Sequence, residues 1–317
     1  LGHQRRVVFV VATLIVARIM PGRGDGEEAR MSRVLDRLLE LLELEIIGED
    51  SFRGPSQDLG WGTVFGGQVL GQALSAAGRT VDNGRHAHSL HAYFLRPGDP
   101  AKPISYHVER TRDGASFSTR RIRAHQEGPP IFFMAASFQC PEGGLDHQAA
   151  MPGVPGPDGL ASYDELTRRY LPLAPEPLRR SLDIEWPFEM RPVEVIDPID
   201  PQPTAPVSHL WLRSAGPLPD DDRVHRCLLA YASDFSLLDT ALAPHGRSYW
   251  HGDLKMASID HAMWFHRPFR ADEWLLYAMD SPNACGSRGL VRGQLFDRAG
   301  RLVASTAQEG MIRDLRR

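Results

Sequence analysis

The sequence predicts an α+β fold made of two tandem copies of one unit, a helix plus an antiparallel β-sheet, with the helices segregated to one face of the sheet. Three observations carry this reading. A long apolar helix candidate precedes a run of strand-like segments twice along the chain. Tyr93-Phe94-Leu95-Arg96-Pro97 recurs 171 residues later as Trp264-Phe265-His266-Arg267-Pro268, and Ser116 recurs at the same offset as Ser287. Ala136-Ser137-Phe138-Gln139 then corresponds to Ser305-Thr306-Ala307-Gln308 at an offset of 169, as one shortened hairpin would produce. Offsets that agree in the same order indicate an internal duplication.

Residues 1–30 stand apart from this pattern. Arg5 and Arg6 precede VVFVVATLIVARIM, a run of signal-peptide length that is short for a membrane span, and no clear small-x-small cleavage site follows. We read an N-terminal extension that is non-native or signal-like. The first unit spans 31–140. It opens on SRVLDRLLELLELEII, which places Val34, Leu35, Leu38, Leu39, Leu41, Leu42 and Ile46 at helical spacing behind Ser32 as N-cap. VFGGQVLGQALSAAGRTV reads as a helix packed tightly against a sheet. Its Gly66, Gly67 and Gly71 weaken a helix but let another backbone approach closely. Strands follow at SLHAYFLR, ISYHVERTR, SFSTRRIRAH and PIFFMAASFQ, separated by the turn signals PGD, RDG and EGPP.

Residues 141–180 form a linker region whose first part, PEGGLDHQAAMPGVPGPDGLA, is rich in Pro and Gly and lacks periodicity. The second unit spans 181–317. Its helix is expected over 224–242, VHRCLLAYASDFSLLDTAL, with Asp234 inside it. Strands follow at KMASIDHAMWFHR, WLLYAMDS, RGLVRGQLF and RLVASTAQEGMI.

Composition narrows the function. A net charge of -4 with 42% hydrophobic and 24% charged residues demands no nucleic-acid partner. Cys140, Cys227 and Cys285 lie far apart without a CxxC, which fits small buried hydrophobes in a reducing setting. HAHSLH tempts a metal reading through His86, His88 and His91. However, Leu90 stands where a binuclear site wants Asp, and the histidines do not recur in the second copy, where His91 aligns with Ala262. No metal is expected. Ser258, Asp260 and His261 lie too close on one strand for a Ser-His-Asp line, and no G-x-S-x-G occurs.

A ligand site in a duplicated unit is expected between the halves. Asp234, Ser258 and Gln308 are its candidates, because a carboxylate can take the proton of a water that a hydroxyl and an amide orient. Taken singly, each has an ordinary reading, as a surface carboxylate or a strand group bonded to backbone.

VFGGQVLGQAL, HSLHAYFLRPGD, RDGASFSTRR, ASFQ, MRPVE, the YASD helix, SIDHAMWFHRPF, EWLLY, RGLVRGQLF and VASTAQEG together resemble the acyl-CoA thioesterase II family, the double hot-dog thioesterases, from about Met31 to Arg313. The resemblance implies a double hot-dog fold. It also implies hydrolysis of acyl-CoA, with medium- to long-chain substrates expected, by a water that Asp234, Ser258 and Gln308 activate, without metal, other cofactor or acyl-enzyme. A thiol of pKa ~8.5 leaves without a dedicated acid. Carbonyl polarisation is expected from the Gly66-Gly67-Gln68 helix start. Arg120, Arg121 and Arg123, read as outward arginines, are candidates for the coenzyme A phosphates. A non-hydrolytic acyl-CoA binder or acyl-thioester hydratase is the alternative on the same fold. The expected partner is acyl-CoA alone, with no nucleic acid and no stable membrane association, in a homodimer or homotetramer. RDLRR lacks a terminal S-K-L, which favours a cytoplasmic location.

Overall fold

A computed structural model of the chain describes residues 25–182 and 184–316. The expectation of a signal-like or non-native extension falls largely on 1–24, outside the described residues. Helix α1 (Asp25–Leu42) buries Val34, Leu35, Leu38, Leu41 and Leu42, the stripe that the spacing predicts. It begins before Ser32 and stops short of Ile46, which is 70% exposed. The chain turns there into β1 (Glu45–Gly48), which pairs with β2 (Ser51–Gly54) through a turn with Asp50 at φ 49°. Hairpin pairing overrides helix continuation once the apolar stripe ends.

Helix α2 (Gly66–Gly78) is followed by β3 (His86–Phe94), β4 (Ile104–Asp113), β5 (Phe117–His125) and β6 (Phe132–Gln139). The linker region is not structureless. It holds α3 (Tyr163–Tyr170) and α4 (Glu176–Leu182), and a reciprocal Ser162/Glu165 capping box starts α3 by satisfying two free backbone donors. The second copy supplies β7 (Phe188–Pro192), β8 (Val207–Ser214), α5 (Asp222–Ala232), β9 (Leu254–Ser258), β10 (Asp260–Phe265), β11 (Leu275–Cys285), β12 (Arg288–Asp297) and β13 (Leu302–Asp314).

The strands form one antiparallel sheet in the order β1-β2-β4-β5-β6-β3-β10-β13-β12-β11-β8-β7, with β9 on β13. The copies join at β3 and β10. There His91 pairs with Ala262, Tyr93 with Asp260 and Ser89 with Trp264. Residues equated by the 171-residue offset therefore exchange places across this junction, and His91 and Ala262, equated with each other, face directly. That is the register a pseudo-two-fold axis requires, with the axis between those two residues.

Helices α2 and α5 pack side by side within the curve of the sheet, and their buried residues join one core spanning both copies. Gly67 is what allows the approach: a Cβ there would stand 2.2 Å from the Tyr231 carbonyl oxygen. Helix α5 ends at Ala232, ten residues before the expected 242. Ser236 takes a positive φ of 55°, which no α-helix accommodates, and the chain continues in short 3-10 turns. Asp234 thus lies just past the helix end rather than inside it. Of the cysteines, Cys227 is buried as expected, Cys140 is half-buried and Cys285 is exposed on a hairpin end, so the buried-hydrophobe reading holds fully for Cys227 alone. Among the described residues no helix is long and apolar enough to cross a membrane.

Candidate active site

Four elements converge where the copies meet. The end of α5 presents Asp234, the last residue of β9 presents Ser258, β13 presents Gln308, and the start of α2 faces them. Ser258 donates to Asp234 Oδ1 at 3.2 Å, and Gln308 Nε2 donates to Ser258 Oγ at 3.0 Å. The three predicted residues, 74 positions apart at the extremes, form one connected group. They line a cavity of about 910 Å³, within the range of ligand sites, which also takes in Phe65, Gly66, Phe94, Trp186 and Met190.

Asp234 is enclosed by protein except on its cavity side. Burial raises its carboxyl to about 6, opposed by donors from Gln308, Ser258 and the Gly67 backbone N–H. It is thus a basic carboxylate that is ionised at neutral pH. A Cβ on Gly66 would lie 2.6 Å from Asp234 Oδ2, so only glycine lets the α2 start, with its partial positive charge, close on this carboxylate. Asp239 also lines the cavity but is exposed. Among the described residues no side chain donates to it, and this separates it from Asp234.

The polarising trio divides. Gly66 lines the cavity and Gly67 turns its N–H to Asp234. Gln68 does not belong with them, because its backbone N–H bonds the Phe65 carbonyl and its buried side chain bonds Pro55 O and Gln57 N. The arginines also divide. Arg120 is 1% exposed, and its guanidinium donates to Thr80 and Asp113, so it cannot reach a phosphate. The cause is strand parity: Arg120 shares the inward face of β5 with Ile122, whereas Arg121 and Arg123 point outward. Those two are exposed and do not line the cavity.

The histidines of β3 go to separate partners: His86 to Asp222, His88 to Ser137 and His91 edge-on to Trp264. Sequence reasoning weighed His261 only as a member of a Ser-His-Asp line and set it aside. It is wholly buried, with Nδ1 2.5 Å from Gln308 Oε1 and Nε2 3.0 Å from Ser233 Oγ, and burial lowers its pKa to about 4. The available signal was a polar side chain at the inward position of β10 otherwise held by Met263 and Phe265.

The chain is similar to known proteins along nearly its whole length. A family profile described as acyl-CoA thioesterase matches residues 178–311, and one described as acyl-CoA thioesterase N-terminal domain matches 55–139. The chain is 44% identical to acyl-CoA thioesterase 2 of Haemophilus influenzae, over 89% of this chain and 99% of that protein. It is 45% identical to human acyl-coenzyme A thioesterase 8, over 92% and 94%. The crystal structure of acyl-CoA thioesterase II TesB2 from Mycobacterium marinum superposes with a TM-score of 0.72 at 42% identity, covering 87% of this chain and 98% of that one. A hot dog fold protein from Alicyclobacillus acidocaldarius superposes at 0.70 with 18% identity, over 87% and 98%, a likeness of fold alone. With two hot-dog units joined at β3 and β10 and these relatives along nearly its whole length, the chain belongs to the acyl-CoA thioesterase II family, the double hot-dog thioesterases.

Proposed function

We propose that this thioester hydrolase cleaves medium- to long-chain acyl-CoA by direct attack of a water that Asp234 deprotonates. The observation that carries the reading is the meeting of Asp234, Ser258 and Gln308 on one wall of an otherwise largely apolar cavity. Water bound there gives its proton to Asp234 while its oxygen bonds the thioester carbonyl carbon. The Gly66 backbone N–H at the α2 start stabilises the oxyanion, as preorganised donors do where charge develops. The C–S bond then breaks, the thiolate departs, and the proton held by Asp234 neutralises it. The step as proposed uses no metal, cofactor or acyl-enzyme. A pure binder gives no reason for a basic carboxylate held by two side-chain donors at the cavity wall, and the stretch FSLLDTAL that follows Asp234 offers no His base of the kind a hydratase would need.

The acyl chain runs between α2, α5 and the linker. Leu178 and Leu182 of α4, Trp186 and Phe235 supply an apolar wall, with the Trp186 and Phe235 rings edge to face at 4.8 Å. Arg96 and Lys255 line the same cavity and are exposed, and among the described residues neither is ion-paired. Arg313 stands across from Lys255 on β13. This cationic rim suits the coenzyme A phosphates better than Arg121 and Arg123. A cytoplasmic setting suits the three unpaired cysteines, and exposed Tyr93, stacked on Phe133 on the outer sheet face, suits a homodimer or homotetramer.

Free-thiol release tests the reading on a chain-length series of acyl-CoA and on matched acyl-pantetheine thioesters, which lack the nucleotide phosphates. Wild type is expected to release thiol from acyl-CoA with a preference for longer chains. Arg96→Ala/Lys255→Ala is expected to raise KM for acyl-CoA about tenfold, the effect of removing roughly 1.4 kcal/mol of binding, while leaving KM for the pantetheine thioesters unchanged. Absence of thiol release from every acyl-CoA contradicts the function. Equal KM changes on both substrate types contradict the rim assignment.

A further inference from the structure

The hydrogen bonds around Asp234 continue to groups that do not line the cavity, and their donor directions can be assigned in sequence. An ionised Asp234 accepts only, so Ser258 directs its single proton onto Oδ1. Ser258 Oγ must then accept, and the group within reach to donate is Gln308 Nε2. That orients the amide with Oε1 toward His261 Nδ1, which must carry a proton. His261 Nε2 is left as an acceptor, and the Ser233 hydroxyl stands within reach of both it, at 3.0 Å, and the Ala230 carbonyl, at 2.9 Å. The Ser233 carbonyl is itself fixed by Tyr277, whose hydroxyl lies 2.9 Å away. If the amide were reversed, every direction would reverse. Ser258 would then donate to Gln308 Oε1, and Asp234 would lose that donor.

We infer that His261, in the Nδ1–H form, is a positioning residue that locks the Gln308 amide so that Nε2 faces Ser258 and the Ser258 proton faces Asp234. The inference rests on the reading of Asp234 as the base, and it deepens that reading. A neutral imidazole suits the role because it both donates and accepts, a combination that neither a carboxylate nor an aliphatic side chain offers at this buried site. Its burial keeps it neutral throughout the range in which Asp234 titrates. Ser233 precedes Asp234 in sequence, so the chain of bonds starts and ends on the same turn and ties the end of α5 to β9, β10 and β13.

The test combines nitrogen NMR of the histidine-labelled full chain with kinetics. The His261 signal, assigned by its loss in His261→Asn, is expected to show the Nδ1–H tautomer and no titration above about pH 5, one unit above its lowered pKa. His261→Leu is expected to lower kcat about 10–100-fold, as loss of an outer orienting partner does, with KM little changed and the acid limb of kcat/KM moved to higher pH. His261→Asn, which can still donate from the Nδ1 position, is expected to recover most of kcat. An Nε2–H tautomer in wild type overturns the inference. So does His261→Leu with wild-type kcat and acid limb. Should the leucine variant fail to fold, the wild-type tautomer and the asparagine variant decide. A wild type without thioesterase activity sinks the proposed reaction instead, and the tautomer still reports how the amide stands.

Discussion

Asp234→Asn is expected to lower kcat on a long-chain acyl-CoA by about 1,000-fold, within the range of about 10²–10⁴ that a positioned base contributes. That corresponds to about 4 kcal/mol of barrier. The substitution is nearly isosteric, so the volume beside Gly66 is kept and the α2 start still closes on the residue. What disappears is the capacity to take a proton. Because the asparagine oxygen can still accept from Ser258, the geometry of the group is retained and KM is expected to change by no more than about threefold, the pattern of a lost transition-state interaction. Steady-state thiol release on both proteins checks this. Activity within tenfold of wild type removes Asp234 from the mechanism.

Gly67→Ala is expected to destabilise the fold and impair the site together. The added methyl meets the Tyr231 carbonyl oxygen and the Phe65 ring, neither of which moves cheaply, since one is helix backbone and the other is packed on Phe235 at 5.0 Å. Overpacking of this kind costs about 1–3 kcal/mol, and a midpoint loss of about 2–4 °C per kcal/mol is usual for domains of 150–250 residues. Separating α2 from α5 also withdraws the Gly67 N–H from Asp234, so kcat should fall as well. Thermal unfolding with parallel kinetics checks both. A variant of unchanged midpoint and rate contradicts the account of how the helices pack.

Much of this architecture was readable because duplication leaves a mark that geometry must respect. The equated segments Tyr93–Pro97 and Trp264–Pro268 follow from strands that meet at the pseudo-two-fold junction and so occupy equivalent surroundings. Asp234, Ser258 and Gln308 were identifiable by chemical type, and the structure brings them within hydrogen-bond reach. The end of α5 was not readable. Its apolar pattern runs on to 242, but the positive φ at Ser236 is imposed by packing and no glycine announces it. Arg120 was misread although its position carried the signal, since neighbours on a strand face opposite sides and Arg120 cannot point outward beside Arg121. Gln68 in the polarising trio was misread for a related reason, because the helix start offers only its first amides to a ligand before the backbone consumes them. His261 was weighed only against its strand neighbours, because its actual partners lie 28 and 47 residues away.

The central claim is that the raised carboxyl of Asp234 is the base. Its sign is definite. The base acts ionised, so activity is full above its pKa and falls as pH drops through it. Burial sets that pKa at about 6, and the neighbouring His261 stays neutral across this range. Single-turnover thiol release measured from pH 4.5 to 8 on wild type and Asp234→Asn tests this most directly. Wild type should lose about tenfold in rate per pH unit below a midpoint near 6, and the residual rate of the variant should show no such limb. The same limb persisting in Asp234→Asn would mean that another group accepts the proton from water.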